Sequence, residues 1–166
     1  MYRWYLVHTK PRKEIVAEQN LERQGWEVYL PLIQQPRRRY GRWMEVIEPL
    51  FPCYLFVRLR LGHDNIGPIR YTTGVRDFVR FTEEPAAVPE QIVESLKLSA
   101  DRNTSLRSFK GPLFKPGDTV IIDNGPFAGL RAIFVAETGQ ERVTLLLDML
   151  GRENQVTVRR NLLRLA

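Results

Sequence analysis

The 166-residue chain contains a single cysteine, Cys53, and only two histidines, His8 and His63. One thiol excludes an internal disulfide and any metal cluster built on thiolates. The histidines stand alone with no ligand spacing between them, so no metal site is expected. Apolar runs are short, and none approaches the ~20 residues needed to span a bilayer. Residues Met1 to His8 lack the apolar region and small-residue cleavage site of a secretory signal. These absences describe a cytoplasmic protein without a membrane partner. Catalytic patterns are missing too. Gly125-Pro126-Phe127-Ala128-Gly129 has no Lys-Ser/Thr after it and is no P-loop. Asp118 and Asp123 sit at strand ends, where turn and edge roles account for them. Cys53, between Pro52 and Tyr54, has no activating neighbour and reads as a buried thiol. The chain is therefore expected to be a non-enzyme without cofactors.

Positive charge, by contrast, is plentiful. Lys and Arg number 25 against 19 Asp and Glu, giving +6 and a pI near 9.8, a balance that suits a phosphate-bearing partner. Arg37, Arg38, Arg39 and Arg42 fall within Pro36 to Arg42. That cluster fits either a solvated hairpin tip or a basic finger near a nucleic-acid backbone. On the first expected helix, Lys13, Asn20 and Gln24 recur at helical spacing with Arg23 beside them, and Lys10 and Arg12 stand at its entrance. Such residues either form a solvated polar face or hold phosphates and read base edges.

Strand signals cover Arg3 to Thr9, Glu27 to Leu30, Trp43 to Ile47, Tyr54 to Leu59 and Val75 to Phe81. The Trp43 and Tyr54 strands read as a pair around the turn marked by Pro49 and Pro52. Thr9 as N-cap, Pro11 in the first turn and Gly25 as C′ stop frame a first helix. Residues 62 to 73 suggest a short helix or turn. Pro89 opens a second helix to about Leu98, with Ile92, Val93 and Leu96 as its apolar face. Along Tyr54-Leu55-Phe56-Val57, alternation puts Tyr54 and Phe56 on one face and Leu55 and Val57 on the other. The strand is then either buried on both sides or offers one face for docking. Antiparallel strands with two helices in residues 1 to 100 indicate an α+β sandwich.

Residues 101 to 115 are polar, basic and poorly periodic, the marks of a linker. Residues 116 to 166 allow two readings. Glycine-punctuated runs at Thr119 to Ile122, Arg131 to Ala136, Val143 to Leu147 and Gln155 to Val158 fit a small five-stranded barrel. Phe127, Leu130, Ile133 and Phe134 also fit one helical face, and Leu145, Leu146, Met149 and Leu150 another, so a helical hairpin is equally open. Gly151 would cost such a helix about 1 kcal/mol.

The most informative stretch is Glu48-Pro49-Leu50-Phe51-Pro52-Cys53-Tyr54-Leu55-Phe56-Val57. With Trp4-Tyr5-Leu6, Leu21-Glu22-Arg23-Gln24, Gly74 to Phe81 and Ala87-Val88-Pro89, it resembles the NusG/RfaH family of bacterial transcription elongation and antitermination factors. Pro116 to Val120, Ala132-Ile133-Phe134 and Leu145-Leu146-Leu147 extend the likeness through the last third. It is closest to the specialised RfaH-like branch. The resemblance implies a NusG-type α/β sandwich followed by a KOW-type module, an α-helical hairpin when autoinhibited and a five-stranded β-barrel when released.

It further implies that Tyr54, Phe56, Phe78 and Phe81 form an apolar pocket for the clamp helices of RNA polymerase, with His8 where the branch commonly has an aromatic. Lys10, Arg23, Gln24 and Thr72 match positions that contact non-template DNA, and Lys13 extends that basic face. Asn20 and Thr73 occupy two more of those positions with different side chains. Glu48 and Arg142 fall where the branch forms an interdomain ion pair. Asn65-Ile66-Gly67-Pro68 departs from the polar run with which the branch contacts the far side of the polymerase cleft. Phe127, Ile133 and Leu145 would meet a C-terminal partner, ribosomal protein S10 or a termination factor, and the protein would be a monomer. The alternatives are a general NusG-type housekeeping factor, or a KOW-containing ribosome- or RNA-binding module.

Overall fold

Strand β5 (Tyr54–Leu59) is apolar on both faces, so both faces of the sheet around it need a cover. A computed structural model of the protein, which describes residues 1–103, 108–110, 132–133 and 136–165, shows how each is covered. The first elements are β1 (Arg3–Thr9), α1 (Glu14–Arg23), β2 (Glu27–Tyr29), β3 (Leu32–Arg39) and β4 (Arg42–Pro49). After β5 come a 3₁₀ turn (Gly67–Tyr71), β6 (Val75–Phe78), β7 (Ala87–Val88), α2 (Glu90–Asn103), β8 (Ser108–Lys110) and α3 (Gly139–Leu165).

Antiparallel β1 and β5 pair from Arg3–Leu59 to His8–Tyr54, and the five-stranded sheet runs β2-β5-β1-β6, with β7 also on β1. Side-chain alternation then sorts the core. Tyr5, Val7, Leu55 and Val57 pack with Ala17 and Leu21 of α1 on one face. Trp4, Leu6, Tyr29 and Phe56 pack on the other with Ile92, Val93 and Leu96 of α2 and Leu146, Met149 and Leu150 of α3. The expected split of Tyr54 and Phe56 from Leu55 and Val57 is thus what the sheet shows.

Helix α1 ends as Gly25 suggested. Its φ of +97° lets Gly25 N donate to Glu22 O and Trp26 N to Leu21 O, the Schellman arrangement. The start differs, however. Thr9 is a fully buried strand residue, its N–H donating to Cys53 O, and Lys13 is the N-cap.

Strands β4 and β5 are not partners. The polar β4 pairs with β3 in a second sheet of order β4-β3-β8, while the apolar β5 sits between β2 and β1. Residues 36–39, expected in a loop, continue β3 as a ladder to Arg39–Arg42. Only Tyr40 and Gly41 turn, with φ of 53° and 73°, as a type I′ hairpin requires.

Helix α2 runs on to Asn103, and β8 pairs in parallel with β3, so part of the stretch expected to be a linker carries regular structure. Val143 to Leu147 and Gln155 to Val158, expected as strands in the barrel reading, lie within α3. The barrel run Thr119 to Ile122 lies outside the described residues.

Two glycines separate by their surroundings. Gly74, at φ +94°, brings its backbone so near α1 that a Cβ would lie 2.8 Å from Ala17 N. Gly151 lies inside α3, and a Cβ there would meet Phe81 at 3.5 Å, an ordinary contact. Gly74→Ala is expected to destabilise the protein by about 2–4 kcal/mol through unfavourable φ and overpacking. Gly151→Ala should stabilise it by about 1 kcal/mol. Thermal unfolding of the two variants checks the opposite signs.

Candidate functional site

Pairing across β1 and β5 places His8 opposite Tyr54, and their rings stack at 4.9 Å with an interplanar angle of 12°. Both side chains are half-buried at the margin of the Phe56 face. Phe56 itself has no exposed surface, with Phe51 edge-on at 6.1 Å and Tyr29 stacked at 6.1 Å. Phe81 stays 39% exposed and lies beside Gly151 of α3. Phe78 does not join this group. It pairs with Val7 and packs in the core on the α1 side, whereas Val79 packs on the Tyr54 side. Period-two alternation from Val79 to Phe81 carries this signal, since it puts Phe78 on the opposite face.

Charge at this margin is tuned by burial. Burial pushes the His8 imidazole below its ordinary value of 6.5, and Arg76 adds in the same direction. Burial raises the Tyr54 phenol. It also raises the Cys53 thiol, with help from the Glu14 carboxylate, which keeps the thiol protonated.

Helix α3 lies across the Phe56 face. Near its start a Cβ on Gly139 would fall 2.5 Å from Pro52 Cγ. Leu146, Met149 and Leu150 are buried in the core, and so is Ile133, each contributing about 1.5–3 kcal/mol. Leu145 packs against the same cluster. Near the middle of α3 Asn154 pairs with Ala87, Oδ1 accepting from its N–H at 3.3 Å and Nδ2 donating to its carbonyl at 3.2 Å. Phe127 lies outside the described residues.

Glu48 and Arg142 are neighbours without a direct ion pair. Glu48 holds Arg37 Nε at 2.7 Å. Arg142 is 1% exposed; its Nε donates to Leu50 O at 2.7 Å and its Nη1 to Ala136 O at 3.1 Å. Burial pulls the Arg142 pKa down, and the Glu48 carboxylate opposes that most strongly. Arg37 thus takes the hydrogen bond that Arg142 was expected to make.

A second, polar surface joins the C-terminal half of α1 to residues 72–74. Gln24 Nε2 donates to Thr72 Oγ1 at 2.8 Å, and that hydroxyl donates to Pro68 O at 3.0 Å. Asn20 Nδ2 donates to Thr73 O at 3.2 Å, while its Oδ1 accepts from Arg23 at 3.3 Å. Thr72 is buried and so sets the loop, while Arg23, Gln24 and Thr73 face solvent. Lys10 and Lys13, both exposed, flank the other end of α1, and Lys10 N donates to Gly74 O. The structure adds groups that spacing along one helix does not reveal. Arg70 lies over the ring of Tyr71 at 5.3 Å, and Tyr71 is 80% exposed next to Thr72. Loop closure onto α1, made by Gly74, puts them there. Among the described residues no cluster of His, Cys, Asp and Glu is suited to a metal ion, and no helix is long and apolar enough to cross a membrane.

A family model described as "Transcription termination factor nusG" matches residues 2–97. The transcription termination/antitermination protein NusG of Staphylococcus aureus strain Mu50 is 28% identical over 170 residues, covering 94% of this chain and 91% of that protein. The protein of strain N315 gives the same figures. A solved structure described as "Domain interaction in Thermotoga maritima NusG" is 23% identical with a TM-score of 0.42, over 76% of this chain and 75% of that one.

Two outcomes follow from the geometry. The stability attached to neutral His8 is complete above about pH 6.5 and is lost as pH falls toward the lowered folded-state value, because the unfolded chain takes up the proton first. Urea unfolding at about pH 7.5 and about pH 5.5 should show this loss, and His8→Phe should diminish it; an equal loss in both proteins would overturn the assignment. Thr72→Val removes the partner of Gln24 and should cost roughly 1 kcal/mol, measured as a lower urea midpoint that Gln24→Ala does not add to in the double variant.

Proposed function

The chain belongs to the NusG family of transcription factors, and we propose that it is an elongation and antitermination factor acting by binding alone. The face around His8, Tyr54 and Phe56, with Phe81 at its edge, would grip the clamp helices of RNA polymerase. The α1 surface with Thr72 and Thr73 would meet non-template DNA. Bridging the polymerase cleft would oppose the opening and swivelling that accompany pausing.

The observation that carries this reading is α3 lying on the Phe56 face. An apolar strand face whose cover is a helix from the far end of the chain can be uncovered without unfolding the sheet, since α2 still packs on it. In the covered arrangement Phe56, Ile133 and Leu146 have no exposed surface. Ile133 and Leu145, with Phe127, would bind a second partner such as ribosomal protein S10 or a termination factor only after leaving the sheet. Release of α3 would thus free both surfaces, as the resemblance to the RfaH-like branch implies. The general NusG-type reading differs in needing no such release, and the similarity to the Staphylococcus aureus proteins along nearly the whole chain favours it.

Leu146→Glu places a charge at a fully buried contact and should lift α3 from the sheet. Binding to a reconstituted, paused elongation complex is expected to strengthen at least tenfold in this variant, and Tyr54→Ala should abolish the gain. Equal binding by the wild type and Leu146→Glu would favour the general factor. Binding by neither would remove the polymerase assignment.

A further inference from the structure

The two-stranded ribbon of β3 and β4 has two long edges, and they are built differently. Tyr40 and Gly41 close it as a two-residue hairpin, so Arg39–Arg42 is a hydrogen-bonded pair and the ladder alternates from there to Leu32–Pro49. At the intervening pairs, Arg38–Trp43, Pro36–Glu45 and Gln34–Ile47, each backbone N–H and C=O points away from the partner strand. On the β3 side those outward positions are defended. Strand β8 pairs with Leu32 to Gln34, and the next outward residue, Pro36, has no N–H to offer. Strand β4 ends its sheet without such a defence. Its ladder runs through eight pairs with no register shift, and Arg42 to Glu48 holds no proline or lysine. Trp43, Glu45 and Ile47 thus present three N–H and three C=O groups along an open edge, a template that sheet proteins normally blunt.

The side chains of these three residues share one face of the ribbon. Trp43 is 72% and Ile47 52% exposed, large areas for apolar groups against solvent. Glu45, between them, is exposed and has no basic partner among the described residues. Pro36, directly across the ladder, supplies none. An antiparallel strand laid on β4 therefore meets apolar, acidic and apolar side chains at alternate positions, with Arg42 beyond them toward the turn. A second copy of β4 is a poor match. Setting Trp43 against Ile47 of the copy also sets Glu45 against Glu45, and like charges directly opposite repel.

We propose that the outer edge of β4 is a docking site for an extended segment of a partner protein, which adds to the three-stranded sheet as an antiparallel fourth strand. The segment carries a basic residue between two apolar ones at alternate positions, the complement of Ile47, Glu45 and Trp43, and then an acidic residue against Arg42. Backbone hydrogen bonds supply the affinity, and the alternate side chains supply the selectivity. The site stands apart from the polymerase reading, since it uses neither the Phe56 face nor the α1 surface.

The test uses the full chain and a synthetic peptide, Ser-Val-Thr-Lys-Val-Val-Glu-Ser, whose first valine, lysine and last valine fall opposite Ile47, Glu45 and Trp43. At millimolar peptide, amide exchange followed by NMR should slow at Trp43, Glu45 and Ile47. It should stay unchanged at Met44 and Val46, whose N–H groups already face β3. Methylating the backbone nitrogens of the peptide's lysine and last valine, which face β4, should abolish the slowing. Methylating those of the threonine and middle valine, which face away, should not. Glu45→Lys should weaken the peptide about fivefold, and replacing the peptide's lysine by glutamate should restore binding to that variant. Thermal unfolding of Glu45→Lys should match the wild type, because the side chain is exposed. No slowing at the three amides, or an equal loss with either methylated peptide, would overturn the proposal. So would slowing that grows with protein concentration in the absence of peptide, which would make the edge a contact between copies of this chain.

Discussion

Everything in this molecule is arranged around a strand that cannot be left bare on either side. Leu55, Val57 and Leu59 point one way and Phe56 the other, all with no exposed surface. Hydrogen bonds to β1 and β2 satisfy its backbone on both edges. A two-sided apolar sheet needs two covers. Helix α1 supplies one through Ala17 and Leu21. The other cover is composite, with α2 contributed by the neighbouring sequence and α3 by a segment about 40 residues further on. That asymmetry sets the Phe56 face apart from the α1 face, whose cover comes from one neighbouring helix.

Arg142 shows how the composite cover is held in one position. A guanidinium taken out of water needs its donors satisfied, and here Leu50 O and Ala136 O serve, in the field of Glu48. Leucine contacts alone would tolerate sliding of α3 along the sheet. A charged fork donating to a particular carbonyl does not. Asn154 acts similarly about three turns further along α3, matching the donor and acceptor of Ala87 in β7. Apolar burial supplies the strength of the docking, and these two polar contacts set its position.

The two basic surfaces differ in construction. Around α1 the polar groups are tied to one another, Gln24 to Thr72 and Asn20 to Thr73, so donors and acceptors are preset at fixed spacings. Such order suits recognition of particular groups. On the β3–β4 ribbon the guanidinium groups of Arg38, Arg39 and Arg42 are exposed and have no acidic partner among the described residues.

Local pattern alone determined much of the frame. The β-rich runs at Arg3 to Thr9 and Tyr54 to Leu59, the stop at Gly25 and the apolar face of Ile92, Val93 and Leu96 follow from side-chain period and backbone preference, which act over a few residues. The face shared by Tyr54 and Phe56, and the residue types of the α1 surface, were equally legible. Tertiary structure decided the rest, because it turned on partners distant in sequence. Phe78 went to the α1 core because its pairing with Val7 fixed its side. Pro36 to Arg39 became strand because β4 offered a ladder, although their composition reads as loop. Val143 to Leu147 has both strand and helix character, and packing on the Phe56 face selected helix, with Gly151 accommodated beside Phe81. Glu48 and Arg142 were brought close as expected, yet Arg37 and Leu50 O took their hydrogen bonds, since which donor reaches which acceptor depends on a geometry that no local pattern encodes.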